Sequence, residues 1–224
     1  PVRAQRDPYG NVLHVLTMDQ PHDSIVIGAR GVVEIDEHSD GERDSGSPLP
    51  FLRSTRLTQA DQALREFAIL QCGERRQREA LIDLMHGLSE KMPYTPGITS
   101  VESTAAEAFA GGAGVCQDHT HAFLACARSL GVPARYVSGY LLMDDRIEQV
   151  ATHAWAEVHL QGLGWVGFDA ANNHCPDARY VRIATGLCYP DAAPVSGMRI
   201  GIAGEDLTVK LVVEPSQSQS QSQS

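Results

Sequence analysis

Cys116 follows a glycine-rich approach, Gly111-Gly112-Ala113-Gly114-Val115, and opens a stretch with helical spacing. A thiol at the first residue of a helix faces amide hydrogens that lack intrahelical partners and the positive end of the helix dipole, and both favour thiolate over thiol. With an imidazole beside it, such a sulfur can attack an acyl carbon. The glycines would let a substrate backbone come close. A cysteine is also a small hydrophobe, and this segment alone suits either reading. His153 opens a strand-like run shared at period two with Trp155, Glu157 and His159, and the following run ends at Phe168-Asp169. With Gln161-Gly162 as a tight turn, Asp169 falls within one residue of the position opposite His153, close enough to hold its tautomer and orientation. Taken singly, the histidine and the aspartate suit plain packing as well.

The other reactive side chains fall into place around these. Cys126 sits mid-helix between alanines and reads as core; Cys72, Cys175 and Cys188 have no helix start behind them and read as structural. With five cysteines at irregular spacing and no C-x-x-C pair, neither a disulfide framework nor a four-cysteine zinc site is expected. Cys116, His119 and His121 resemble a metal set. On a helix, however, the two histidines lie about 60° and about 140° from the cysteine, so the three cannot converge. His119 and His121 are therefore expected to hydrogen-bond in the core or line the cleft. His174-Cys175 reads as a loop pair without a remote partner, and Asp144-Asp145 as a turn. No metal or other cofactor is expected, calcium included, since no loop has the spacing of a dedicated calcium site.

Positioning the three residues requires several elements. Residues 1–37 read as a partial N-terminal β region, with strand-like runs at Val12–Leu16, Ile25–Ile27 and Gly31–Ile35 that need a partner, because a lone hairpin is marginal in water. Residues 38–54 lack apolar periodicity and read as a linker. Helices follow: one from the acidic start Thr58-Gln-Ala-Asp61 up to Gly73, one from about Glu74 to Met92, a short one behind the capping box Thr104-Ala-Ala-Glu107, and one from Cys116 to Leu130. Strands follow at residues 134–143, 153–160 and 164–168, with short ones near 180–183, 198–202 and 207–213. Helices followed by antiparallel strands define an α+β domain at 55–215. The alternating Ser/Gln tail, 216–224, has nothing to bury and is expected to be disordered.

The 224 residues carry 18 Lys+Arg against 28 Asp+Glu, a net charge of −10, with 42% hydrophobic side chains. That is a globular composition, and its negative sign argues against nucleic acid or an anionic membrane as partner. No stretch reaches the roughly 20 apolar residues of a membrane span. A cytoplasmic location is the expectation, and the first residue, Pro1, leaves open what precedes it.

Four segments in order, Gly114-Val-Cys-Gln-Asp-His119, Leu130-Gly-Val-Pro-Ala-Arg-Tyr-Val-Ser-Gly-Tyr140, His153-Ala-Trp-Ala-Glu157 and Gly164-Trp-Val-Gly-Phe-Asp169, resemble the bacterial transglutaminase-like superfamily. The resemblance is close from about Tyr94 to Pro194. It implies a papain-like α+β core with helices packed on an antiparallel sheet, the N-terminal strands being the tail of a preceding β-rich region. It further implies Cys116 as nucleophile, His153 as acid/base and Asp169 as its orienting carboxylate. Tyr94, Tyr140 and Trp155 are candidates to contact substrate. The reaction implied is attack on a peptide or carboxamide carbonyl through a thioester. Hydrolysis of a peptide or protein substrate is the expectation, with protein-glutamine transamidation or a non-catalytic peptide-binding module as alternatives. The chain departs from the family where Asp169-Ala-Ala-Asn172 replaces Asp-Pro-Thr-Asn and Gly186-Leu-Cys-Tyr189 replaces Gly-Arg-Asp-Tyr. No tryptophan precedes Cys116 to serve as oxyanion donor, so the oxyanion hole is assigned to the Cys116 N–H and one donor not identified.

Overall fold

The structure, a computed structural model, describes residues 3–20, 22–35, 46–143, 148–149, 152–198 and 208–214. Strands β1 (Arg3–Arg6) and β2 (Val12–Val15) form an antiparallel hairpin. The apolar runs at 25–27 and 31–35, expected as strands, are exposed and ladder with nothing among the described residues, so the β character of this region rests on β1 and β2. Within the stretch read as a linker, a 3-10 turn at Leu49–Leu52 packs Phe51 edge-on against Trp165, ring centroids 5.1 Å apart. The rest of that stretch up to residue 45, the Asp144-Asp145 turn, most of the strand expected near 198–202 and the Ser/Gln tail lie outside the described residues.

Asp61 opens the helical half. Its carboxylate accepts from Leu64 N at 2.9 Å, supplying a partner that the first turn cannot, and α1 runs Gln62–Cys72 with Leu64, Ala68 and Cys72 on its buried stripe. In α2 (Arg78–Lys91) the buried residues are Ala80, Leu81, Leu84, Met85 and Leu88. α3 (Ala105–Gly111) starts at the reciprocal Thr104–Glu107 capping box and ends where Gly112 turns left-handed at φ 67°. α4 (Cys116–Ser129) is the central helix: every side chain from Asp118 to Arg128 is buried. Such a helix is held by tertiary packing on all sides.

The sheet consists of β3 (Ala134–Leu141), β5 (His153–Leu160), β6 (Gly164–Phe168) and β7 (Tyr180–Gly186), in the order β6-β5-β3-β7 and antiparallel throughout; a two-residue pair, β4 (Glu148–Gln149) with β8 (Leu211–Val212), lies apart, and a single turn of helix, α5 (Tyr189–Ala192), follows β7. Alternation along the strands divides the core. Ala154, Ala156, Val158 and Phe168 pack on the helices with Leu64, Leu88 and Phe123, whereas Val137, Leu141, Trp155 and Tyr180 form a second cluster. Each such large apolar side chain contributes about 1.5–3 kcal/mol by leaving water.

Two polar devices tie the layers together. The Arg128 guanidinium is buried and donates to the carbonyls of Phe51, Ala134 and Leu187 and to Thr58 Oγ1, at 2.7–3.1 Å. Burial lowers its pKa to about 10, against opposing pulls from Cys188 and Asp191. The Asn11 amide bonds both backbone groups of Thr185, accepting from N at 2.8 Å and donating to O at 2.7 Å, which fastens the hairpin to β7.

One register differs from expectation. The β5–β6 pairs run from Leu160↔Gly164 to Ala156↔Phe168, so the turn holds three residues, Gln161–Leu163, with Gly162 at φ 82°. The slip matters, because a one-residue change moves side chains to the opposite face. The expected register sets Asp169 opposite Ala154, on the helix side. The observed one, continued by one residue, sets it level with Trp155, on the face of His153.

Candidate active site

The first turn of α4 is built to hold Cys116 at a helix start. Asp118 folds back so that Oδ2 accepts from Val115 N at 2.8 Å and from Thr99 Oγ1 at 2.7 Å. Gly114 is required here by space, since a Cβ at that position would stand 2.6 Å from the Asp118 Cβ. Gly112 and Gly114 therefore serve the end of α3 and the Asp118 cap. Asp118 Oδ1 is buried without a partner among the described residues.

His153 begins β5 and is 8% exposed. Its Nε2 lies 2.6 Å from Asp169 Oδ2, and the Cys116 side chain is close enough to the ring to raise its pKa. With Nε2 committed to the carboxylate, Nδ1 is the ring nitrogen that can serve the sulfur. Burial alone would lower the His153 pKa, but the hydrogen bonds and negative charges of Asp169 and Cys116 outweigh it and raise the value to about 10. Burial likewise works to raise the Asp169 pKa, and bonds from His153, Tyr180 and Asn172, with the imidazole charge, hold it below the ordinary carboxylate range. The ring of His153 stacks on Trp155 at 6.2 Å between centroids. The β3–β5 register sets Gly139 opposite His153, at a bulge where a Cβ would stand 2.1 Å from the Val181 carbonyl oxygen and 2.5 Å from the Trp155 ring.

Cys116, His153 and Asp169, named from separate segments, are thus brought together. Tyr94 is 55% exposed and flanks them: it bridges to Gly114, and its ring stacks on His119 at 6.4 Å. Burial, then the charges of Cys116, Asp118 and Asp169, raise the Tyr94 hydroxyl pKa. Tyr140 is half-buried on β3, in register with Val181. Trp155 is only 2% exposed, packed beneath His153 and against Tyr180, so it supports the imidazole and has no face to offer a substrate.

The neighbouring histidines go elsewhere. Both ring nitrogens of His119 face carbonyls, Val115 O at 2.9 Å and Met92 O at 2.5 Å, which pins the residue 92–94 segment to α4. His121 Nε2 accepts from Tyr189 N at 3.2 Å; burial and the charge of Arg128 lower its pKa to about 3, and Nδ1 has no partner among the described residues. Among the described residues no three His, Cys, Asp or Glu side chains converge as a metal set.

Sequence reasoning missed four residues around Asp169. Asn172 Nδ2 donates to Oδ2 at 2.8 Å, and the backbone N–H groups of Ala171 and Asn172 donate to Oδ1 at 3.0 and 3.1 Å. Tyr180 Oη lies 2.7 Å from Oδ2. His174, read as a loop residue without a remote partner, in fact pairs backbone to backbone with Asp169 and reaches Tyr180 Oη at 2.8 Å. The loop between them turns on Asn173, left-handed at φ 57°, whose Oδ1 meets His86 Nδ1 of α2 at 2.5 Å. The only signal in the sequence was the survival of Asn172 where the preceding Pro-Thr had changed to Ala-Ala.

A cysteine at a helix start, an imidazole and a carboxylate on an antiparallel sheet define the class of papain-like α+β cysteine-nucleophile folds. Within that class the chain belongs to the Transglutaminase-like superfamily: residues 68–170 match the family, and an uncharacterized protein of Mycobacterium tuberculosis is 31% identical over an alignment covering 86% of this chain and 70% of that protein. An uncharacterized protein of Mycobacterium leprae is 28% identical, covering 91% and 78%. Among solved structures, a candidate cysteine protease from Cytophaga hutchinsonii is similar at 27% identity with a TM-score of 0.60, covering 75% of this chain; the chain spans 57% of that protein's length. The periplasmic domain of TgpA from Pseudomonas aeruginosa matches at 20% identity and a TM-score of 0.44, over 56% of this chain and 47% of that one. No helix among the described residues is long and apolar enough to cross a membrane.

Proposed function

We propose that the protein is a cysteine-nucleophile enzyme acting on a peptide or carboxamide carbonyl, with hydrolysis as its main outcome. The observation that carries this reading is the His153 side chain, bonded to the Asp169 carboxylate and close enough to Cys116, at the first turn of α4, to feel its charge. The Cys116 sulfur adds to the carbonyl carbon, forming a C–S bond while the oxygen takes the negative charge beside the unpartnered amides of that turn. The C–N bond then breaks, the amine leaves with a proton from His153, and a thioester remains. Water adds to the thioester as His153 takes its proton, the C–S bond breaks, and the acid and thiolate are released. The description of the Cytophaga protein as a candidate cysteine protease supports hydrolysis over transfer to an amine. The partner is accordingly a peptide or protein substrate, and five free thiols suit a reducing, cytoplasmic compartment.

Fluorescein-labelled casein tests hydrolysis, and dansylcadaverine incorporation into casein tests transamidation, each with wild type, Cys116→Ala and His153→Gln. Release of labelled peptides by wild type alone supports the reading. Amine incorporation without hydrolysis replaces it with transamidation. Equal activity in Cys116→Ala and wild type would overturn the cysteine mechanism, and failure of His153→Gln to slow alkylation of Cys116 by iodoacetamide would point to the binding module.

A further inference from the structure

Asp169 is held by more than its imidazole partner. Tyr180, the first residue of β7, is 5% exposed, and its hydroxyl oxygen stands 2.7 Å from Asp169 Oδ2 and 2.8 Å from His174 Nε2. A phenol has one proton to give, and an ionised carboxylate can only accept. The proton therefore points at Asp169, and His174 must present Nε2–H to the Tyr180 oxygen. The direction of each bond follows: His174 Nε2–H to Tyr180 Oη, Tyr180 O–H to Asp169 Oδ2, and His153 Nε2–H to the same oxygen.

The rings are fixed as well as the bonds. Tyr180 meets His153, Trp155 and His174 edge-on, with centroids 5.8, 5.2 and 5.4 Å apart. The backbone pair Asp169 N to His174 O at 3.0 Å, and back at 3.2 Å, sets His174 at a constant distance from the carboxylate it serves.

We propose that Tyr180 is a positioning residue for the acyl transfer: its hydroxyl, oriented by His174, holds Asp169 so that Oδ2 is aimed at His153. This rests on the cysteine acyl-transfer reading given above. Besides orientation, the shared oxygen has an electrostatic effect. A donor on Oδ2 spreads the carboxylate charge, so the imidazolium is held less tightly and His153 releases its proton more readily. Burial and the charge of Asp169 push the Tyr180 hydroxyl well above the ordinary phenol range, so it remains a donor at any working pH. The titratable and charged groups facing this chain are Cys116, His153 and Tyr94 at one end and Asp177, ion-paired with Arg179, at the other.

The test uses Tyr180→Phe, His174→Leu and His174→Gln in the full chain. It follows turnover of 4-nitrophenyl acetate and the histidine 13Cε1 NMR titration, with His153 assigned by its absence in His153→Gln. Tyr180→Phe is expected to lower kcat roughly tenfold with KM unchanged and to move the His153 midpoint up by about half a unit, because Asp169 loses a competing donor. His174→Leu should move both readouts in the same direction by less, and His174→Gln, whose amide can still donate, should restore them. Unchanged kcat and midpoint in Tyr180→Phe overturns the proposal, as does a change confined to KM. Should the phenylalanine variant fail to fold, the His174 pair decides: identical behaviour of Leu and Gln overturns it. If Cys116→Ala turns over the ester like wild type, the acyl-transfer reading fails, whereas the NMR midpoints still report whether Tyr180 governs the Asp169–His153 pair.

Discussion

Replacing Asp169 by asparagine, the smallest change available, is expected to damage both fold and reaction. The carboxylate accepts three hydrogen bonds on Oδ2, from His153, Tyr180 and Asn172, and two on Oδ1, from the amides of Ala171 and Asn172. An amide has one oxygen. Placed on the Oδ2 side, it turns its NH2 group against two backbone donors; placed on the Oδ1 side, against three side-chain donors. At least two bonds to a charged acceptor are lost in a buried place, at about 1.5–3 kcal/mol each, giving a loss of roughly 4 kcal/mol and a fall in Tm of roughly 10 °C for a chain of this size. Linkage gives a second signature. The His153 pKa is raised from 6.5 to about 10 in the folded state, so its contribution is full below pH 6.5 and is lost as pH rises through 10. The Asp169 pKa is lowered from 3.8, so its contribution is present above that value and is lost as pH falls through the folded one. The stability gap between wild type and Asp169→Asn should therefore be widest between pH 4 and 6.5 and should close towards pH 10. Thermal unfolding across that range, with NMR titration of His153, reads both. A variant that melts within about 2 °C of wild type and leaves the His153 midpoint in place would refute the reasoning.

Three further outcomes are expected. Arg128→Lys cannot reach three carbonyls and Thr58 Oγ1 from one ammonium, and should cost about 3 kcal/mol in urea unfolding while activity per folded molecule at 25 °C is unchanged. Gly139→Ala drives a methyl into the Val181 carbonyl and the Trp155 ring opposite His153, so Tm and casein hydrolysis should fall together; a variant with wild-type Tm would show that β3 and β7 part freely here. His121 is lowered from 6.5 to about 3, so the unfolded chain takes up its proton first and stability declines as pH falls from 6.5 towards 3. His121→Gln, which keeps an acceptor for Tyr189 N but cannot titrate, should move the acid-unfolding midpoint down by roughly one pH unit, read by circular dichroism.

Local physics made the helices legible. Asp61, Thr104 with Glu107, and Gly112 act on amides and carbonyls a few residues away, and the starts of α1 and α3 and the end of α3 fall where those residues set them. Cys116 was legible for the same reason, since the glycines and the helix that place it are its own neighbours. The pairing of His153 with Asp169 was legible in outline only. One extra residue in the Gln161–Leu163 turn decides which face Asp169 occupies, and no local rule counts turn residues reliably. Trp155 lay on the face of His153, as its period-two spacing implies, yet that face is covered by Tyr180, which sequence spacing does not show. Tyr180 and His174 escaped notice because their contact with Asp169 depends on a loop whose path turns on the left-handed Asn173.

The Asn11 side chain has a consequence away from Cys116, His153 and Asp169. A carboxamide has the shape and polarity of a peptide unit, and by bonding both N and O of Thr185 it mimics one residue of an adjoining strand. That point on the rim of the sheet is thereby already satisfied, and a foreign chain seeking to extend the ladder there would have to displace it. A single amide thus caps the ladder at that one residue.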